Sequence, residues 1–140
     1  SIPVRVAGAA CGPEVTTVLD GNTQDLVRRI RQAFHHRTGR YPHVVVNRLH
    51  RDRLDANRAV GEAACGNADA VRAWEEYHGF IDAAKAAVLA TAGRGWYTDV
   101  HGHGHAVPRL ELGYELTGTT LRRADAELDA TPAYEPLASI

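Results

Sequence analysis

At 140 residues, with 44% apolar and 24% charged residues and a formal net charge of −1, the chain has the make-up of one ordinary globular domain. So small a charge gives no long-range field toward nucleic acid or an anionic membrane, and no run of about 18 apolar residues is present to span a bilayer. Neither nucleic acid nor membrane is expected as a partner.

The chain contains no methionine, and no basic-then-apolar signal segment opens it. Ser1 therefore reads as a processed start or the edge of a longer protein. Residues 1–21, with Gly8, Gly12, Pro13 and Gly21, read mostly as loop. Asn22 or Thr23 can cap a helix in which Leu26, Val27, Ile30, Ala33 and Phe34 recur at helical spacing, with Gly39 placed to end it. Arg28, Arg29, Arg31 and Arg37 fall on its wet face.

His43-Val44-Val45-Val46-Asn47 is short and β-branched and reads as a buried strand. Residues 48–66 are polar and irregular. A long helix is predicted from Ala68 to Ala92, with Val71, Trp74, Tyr77, Ile81, Ala84 and Val88 as its apolar stripe and Gly93 and Gly95 as its stop. Residues 96–100 read as a second strand, 109–116 as a third, and a short helix follows Gly118. Strand, long helix, strand is the pattern of a crossover between parallel strands. The expected fold is α/β, a mostly parallel or mixed sheet flanked by helices in one domain over 1–140. Three strands are few for such a sheet, which again reads as a piece of a longer domain.

Cys11 and Cys65 each sit in Ala-Ala-Cys-Gly. They read either as a disulfide, which suits a secreted protein, or as two small buried thiols. Secretion, slightly favoured over a cytoplasmic location, would require the bond.

Two clusters carry chemistry. The first is Asp99-Val100-His101-Gly102-His103-Gly104-His105, just past a predicted strand end. Imidazole is the commonest neutral metal ligand, glycine allows close backbone approach, and open α/β sheets place their sites at this edge. Asp99 is placed either to orient the His101 ring or to point to the opposite side, with the strand alternation broken at Gly102. A polar loop with histidines facing water is the alternative. His35, His36, His43, His50 and His78 are scattered and read as surface or core residues. The second cluster runs from Asn47 to Arg58 and holds Arg48, Arg51, Arg53 and Arg58. Arginine forks match carboxylates with paired hydrogen bonds, which makes Arg51 a candidate substrate contact. Ion pairing among Arg51, Asp52, Arg53 and Asp55 is the plainer reading.

Leu54-Asp55-Ala56-Asn57-Arg58, followed by a long helix and then Asp99-Val100-His101, resembles the N-formylglutamate amidohydrolase family, which shows Asp-x-Asn-Arg, a helix, and a strand ending in Asp-x-His. The likeness spans roughly residues 40–116. It implies a zinc carboxypeptidase-like fold and a zinc-dependent amidohydrolase acting on an amide of a small carboxylate-bearing molecule or peptide, N-formylglutamate or another N-acyl amino acid. By position, Asn57 and Arg58 would hold the carboxylate and His101 would be the last zinc ligand. His103 is a further candidate ligand, and Glu111 a candidate catalytic acid or base. The family's first two ligands come from a His-x-x-Glu-like segment near the N-terminus. This chain has none, and Glu14 is a weak substitute. The alternative is a non-catalytic relative used for binding or assembly, a homo-oligomer included.

Overall fold

A computed structural model describes residues 1–107, 109–111 and 117–131. The chain divides into two compact units, Ser1–Gly104 and His105–Ile140.

The first unit is built on three helices. Helix α1 is Thr23–Thr38, α2 is Val60–Ala64 and α3 is Ala68–Ala92. Asn22 takes a left-handed conformation (φ 65°) and gives no side-chain cap to α1. Gly39, also left-handed, closes the helix by donating its N–H to the His35 carbonyl at 2.8 Å. Helix α3 is capped at both ends. The Asn67 side chain accepts from the Ala70 N–H at 3.0 Å, and Gly93 donates to the Leu89 carbonyl at 2.8 Å. No helix among the described residues is long and apolar enough to cross a membrane.

The core sits where α2 meets the start of α3. Leu54, Ala63, Ala64 and Ala70 are buried, and Ile2, Val71, Ala73 and Trp74 pack against them. Alanine at three of the four buried positions lets the helices and the loop at Leu54 approach closely. The Cys11–Cys65 disulfide, with Cα atoms 4.5 Å apart, ties the N-terminal arm to the end of α2. The same arm sends Arg5 inward. Its guanidinium donates to the carbonyls of Arg51 (2.7 and 3.1 Å), Glu62 (3.1 Å) and Thr16 (2.7 Å) and lies 3.7 Å from the buried Asp55 carboxylate.

The predicted α/β sheet is not found. Among the described residues the single β pairing is an isolated antiparallel bridge between Gly8 and Gly12. Residues 43–47 and 96–100, expected to be parallel strands, belong to no ladder and are not strands. A β-branched run favours extended backbone, but a strand's hydrogen bonds come from a neighbouring strand, and none pairs with these segments. The valines at 43–47 find their apolar contact elsewhere, lining a groove with Phe80, Ala83 and Ala84 of α3. The described part, residues 109–111, of the third expected strand is likewise not a strand, and 112–116 fall outside the described residues.

In the second unit, a short 3-10 turn at Thr120–Arg122 precedes helix α4, Asp125–Asp129. The short helix expected after Gly118 corresponds to these two. Residues 132–140 lie outside the described residues.

Candidate metal and carboxylate site

The Asp-x-Asn-Arg segment folds as a tight turn around a buried carboxylate. Asp55 is 2% exposed. One carboxylate oxygen accepts from the Arg51 Nε at 3.0 Å, and the other accepts from the Asn57 N–H at 3.2 Å. The Asp55 carbonyl accepts from the Arg58 N–H at 3.1 Å. A buried charge must be paired and hydrogen-bonded, and here Arg5, Arg51 and the turn's own backbone meet that demand. Asn57 and Arg58 are left exposed above it. Arg51 is committed within this network, since its guanidinium also donates to the Val18 carbonyl at 3.2 Å.

Helix α3 then holds the turn from one side. The Trp74 Nε1 donates to the Arg58 carbonyl at 3.0 Å, and His78 Nε2 lies 3.1 Å from the Ala56 carbonyl. The two rings contact each other, with centroids 4.0 Å apart. Between them in sequence lies Tyr77. Its phenol is pushed up from the ordinary value, first by burial and then by the negative charge of Asp99 and by Tyr97. Trp74 and His78, one turn apart on α3, thus both reach the carbonyls of the Ala56–Arg58 turn.

His101 sits between two carboxylates. Its Nδ1 is 3.1 Å from an Asp20 oxygen and its Nε2 is 3.0 Å from an Asp99 oxygen. Burial alone would lower its pKa, but the hydrogen bonds and charges of Asp20 and Asp99 outweigh burial and raise it. The backbone is close as well. A β-carbon at Gly102 would stand 3.3 Å from both the Cα and the Cβ of Asp20. His103 follows, exposed, near the end of this unit.

His101 offers a metal one imidazole, with the Asp20 and Asp99 carboxylates at its two nitrogens. One imidazole nitrogen can go to the ion while a carboxylate keeps the other, as zinc-bound histidines are commonly held.

No family model, no curated protein and no solved structure matches the chain.

In the second unit Glu111 is clamped. One of its oxygens accepts from Arg109 Nε at 2.7 Å and lies 2.8 Å from His105 Nδ1. First His105 and then Arg109 hold its carboxyl down at about 2.

Of the residues singled out in the sequence, Asn57 and Arg58 share one turn, and Asp99 and His101 share one hydrogen bond. Three participants escaped notice. Asp20 lies in an ordinary-looking Asp-Gly-Asn-Thr loop, 81 positions from His101. Arg5 carries no motif at all. Tyr77 looked like one more apolar-stripe residue, and only the Trp-x-x-Tyr-His run of three ringed side chains on one helical turn hinted at more.

Proposed function

We propose that this chain binds zinc through His101 and hydrolyses an amide of a small carboxylate-bearing substrate, of the N-formylglutamate or N-acyl amino acid kind. The observation that carries the reading is the pairing of an exposed Asn57-Arg58 turn, built over the buried Asp55 network, with an imidazole at His101 set between two carboxylates.

In this reading the exposed Arg58 guanidinium, with Asn57 beside it, grips the substrate carboxylate through paired charged hydrogen bonds. The buried Asp55 network keeps that grip in place. Asp99 and Asp20 fix the plane of the His101 ring, and His103 is the second candidate ligand. A zinc ion held by His101 would supply a Lewis acid for the amide carbonyl.

The test is zinc content after dialysis, together with formate release from N-formylglutamate. Zinc bound at one equivalent, lost in His101→Ala and kept in Arg58→Ala, supports the reading; zinc that survives His101→Ala defeats it.

A second reading, binding without catalysis, is favoured by one contact pattern. Both nitrogens of His101 are already satisfied by carboxylates, so this cluster holds together with no ion. Carboxylate binding through Arg58 in a protein that takes up no zinc would select it.

A further inference from the structure

We propose that α1 is a membrane-surface helix, lying in the face of an anionic bilayer with its apolar stripe among the acyl chains and its arginines at the headgroups. Leu26, Ile30 and Phe34 follow one another at single-turn spacing and stand 43%, 47% and 45% exposed. No residue of this 16-residue helix is buried. The helices packed together in its unit are α2 and α3. A helix with one apolar face draws most of its stability from covering that face, and among the described residues nothing covers this one.

The polar side of the helix indicates what the cover is. From Leu26 to Arg51 the chain carries seven arginines and no acidic residue, a concentration of charge that the net value of −1 conceals. Arg29 lies one turn from Leu26 and from Ala33, and Arg31 one turn from Val27 and from Phe34, so an arginine edges the stripe on each side. Arg29 has no acidic partner among the described residues, and the Arg31 guanidinium rests over the Tyr41 ring at 3.9 Å. An arginine at such an edge lays its aliphatic stem along the apolar face and lifts its charge toward the phosphates. A second copy of the helix is a poor cover, because facing two stripes would set arginine edges against like charge. An anionic lipid surface supplies both an apolar layer and the opposite charge above it.

The experiment is cosedimentation of the whole chain with vesicles of mixed phosphatidylserine and phosphatidylcholine, and with phosphatidylcholine vesicles alone, at low and high salt. Binding is expected to the anionic vesicles, little to the neutral ones, and less as salt rises. Arg29→Ala with Arg31→Ala should weaken it about 25-fold, about five-fold for each arginine. Ile30→Ala with Phe34→Ala should weaken it at least about ten-fold, through lost apolar burial in the bilayer. None of the four side chains is buried, so both double variants should melt with the wild type; the wild-type arms decide alone if a variant fails to fold. No binding to the anionic vesicles overturns the proposal, as does equal binding to the neutral ones. Binding undiminished in Ile30→Ala with Phe34→Ala also overturns it, since the contact would then be purely electrostatic, as with nucleic acid. So does a dimer in solution that the same double variant dissociates, which would assign the stripe to a second copy.

Discussion

Arg5 and Asp55, 50 positions apart, meet in the core with both side chains almost fully buried, at 4% and 2% exposure. Neither charge has water to fall back on. Arg5→Ala leaves the Asp55 carboxylate with Arg51 as counter-charge and the Asn57 N–H as donor, and Asp55→Ala leaves Arg5 with carbonyls but no counter-charge. Removing one partner of a buried pair typically costs about 3–5 kcal/mol. Urea unfolding of either variant should show a loss of that size. A loss under about 1 kcal/mol, the worth of an exposed pair, would mean that the pair is open to water in solution.

The disulfide closes a loop of 54 residues. Chain entropy for a loop of this length corresponds to about 4 kcal/mol. Cys11→Ala with Cys65→Ala should lower stability by roughly that amount, and should loosen the arm that carries Arg5. Thiol titration of the unreduced, unfolded protein is expected to find no free thiol. Finding two would refute the bond.

The helices were legible because their signals are local. Gly39 ends α1 and Gly93 ends α3 as read from the sequence, and each does so by adopting the left-handed conformation that glycine tolerates best. The strands were misread because Val44-Val45-Val46 reports only a preference for extended backbone. Whether a ladder forms depends on a partner elsewhere in the chain, which a five-residue pattern does not encode. The same asymmetry holds at the site. Asp99 could be assigned to His101 from two residues away, while Asp20 and Arg5 act across 81 and 50 positions. Arg51, read as a substrate contact, has its guanidinium taken up by Asp55 and the Val18 carbonyl.

Glu111 gives a pH prediction. Its carboxyl is depressed from 4.5 to about 2 by His105 and Arg109. A depressed acid favours the folded arrangement above its unfolded value, so this contribution is present above pH 4.5 and is lost as pH falls toward 2. NMR titration of the Glu111 carboxyl should give a midpoint near 2, and His105→Ala or Arg109→Ala should move it back toward 4.5. A wild-type midpoint at the ordinary value would show that the clamp does not form. A carboxylate held so low is also a poor proton acceptor. Glu111→Gln is accordingly expected to reduce kcat by less than the ~100-fold that marks loss of a general base.

Arg58 separates binding from chemistry. Its backbone is pinned twice, by the Asp55 carbonyl at its N–H and by the Trp74 indole at its carbonyl, while its guanidinium is exposed and, among the described residues, donates to the neighbouring Asn57 carbonyl at 3.0 Å. Such a side chain can be removed with little effect on the fold, and Arg58→Ala should unfold within about 0.5 kcal/mol of wild type. A carboxylate gripped by it would lose a charged, paired contact, worth about 2–5 kcal/mol where water is excluded. The loss falls on ground state and transition state alike, because the carboxylate takes no part in bond breaking. KM should therefore rise far more than kcat falls. Arg58→Lys keeps the charge but not the fork, and should recover only part of the affinity. Trp74→Phe probes the same grip indirectly. It keeps most of the packing but removes the donor to the Arg58 carbonyl, and should raise KM while leaving zinc content unchanged. If Arg58→Ala instead lowers kcat with KM unchanged, the guanidinium acts on the reacting amide, and the carboxylate of the substrate must be held by some other group.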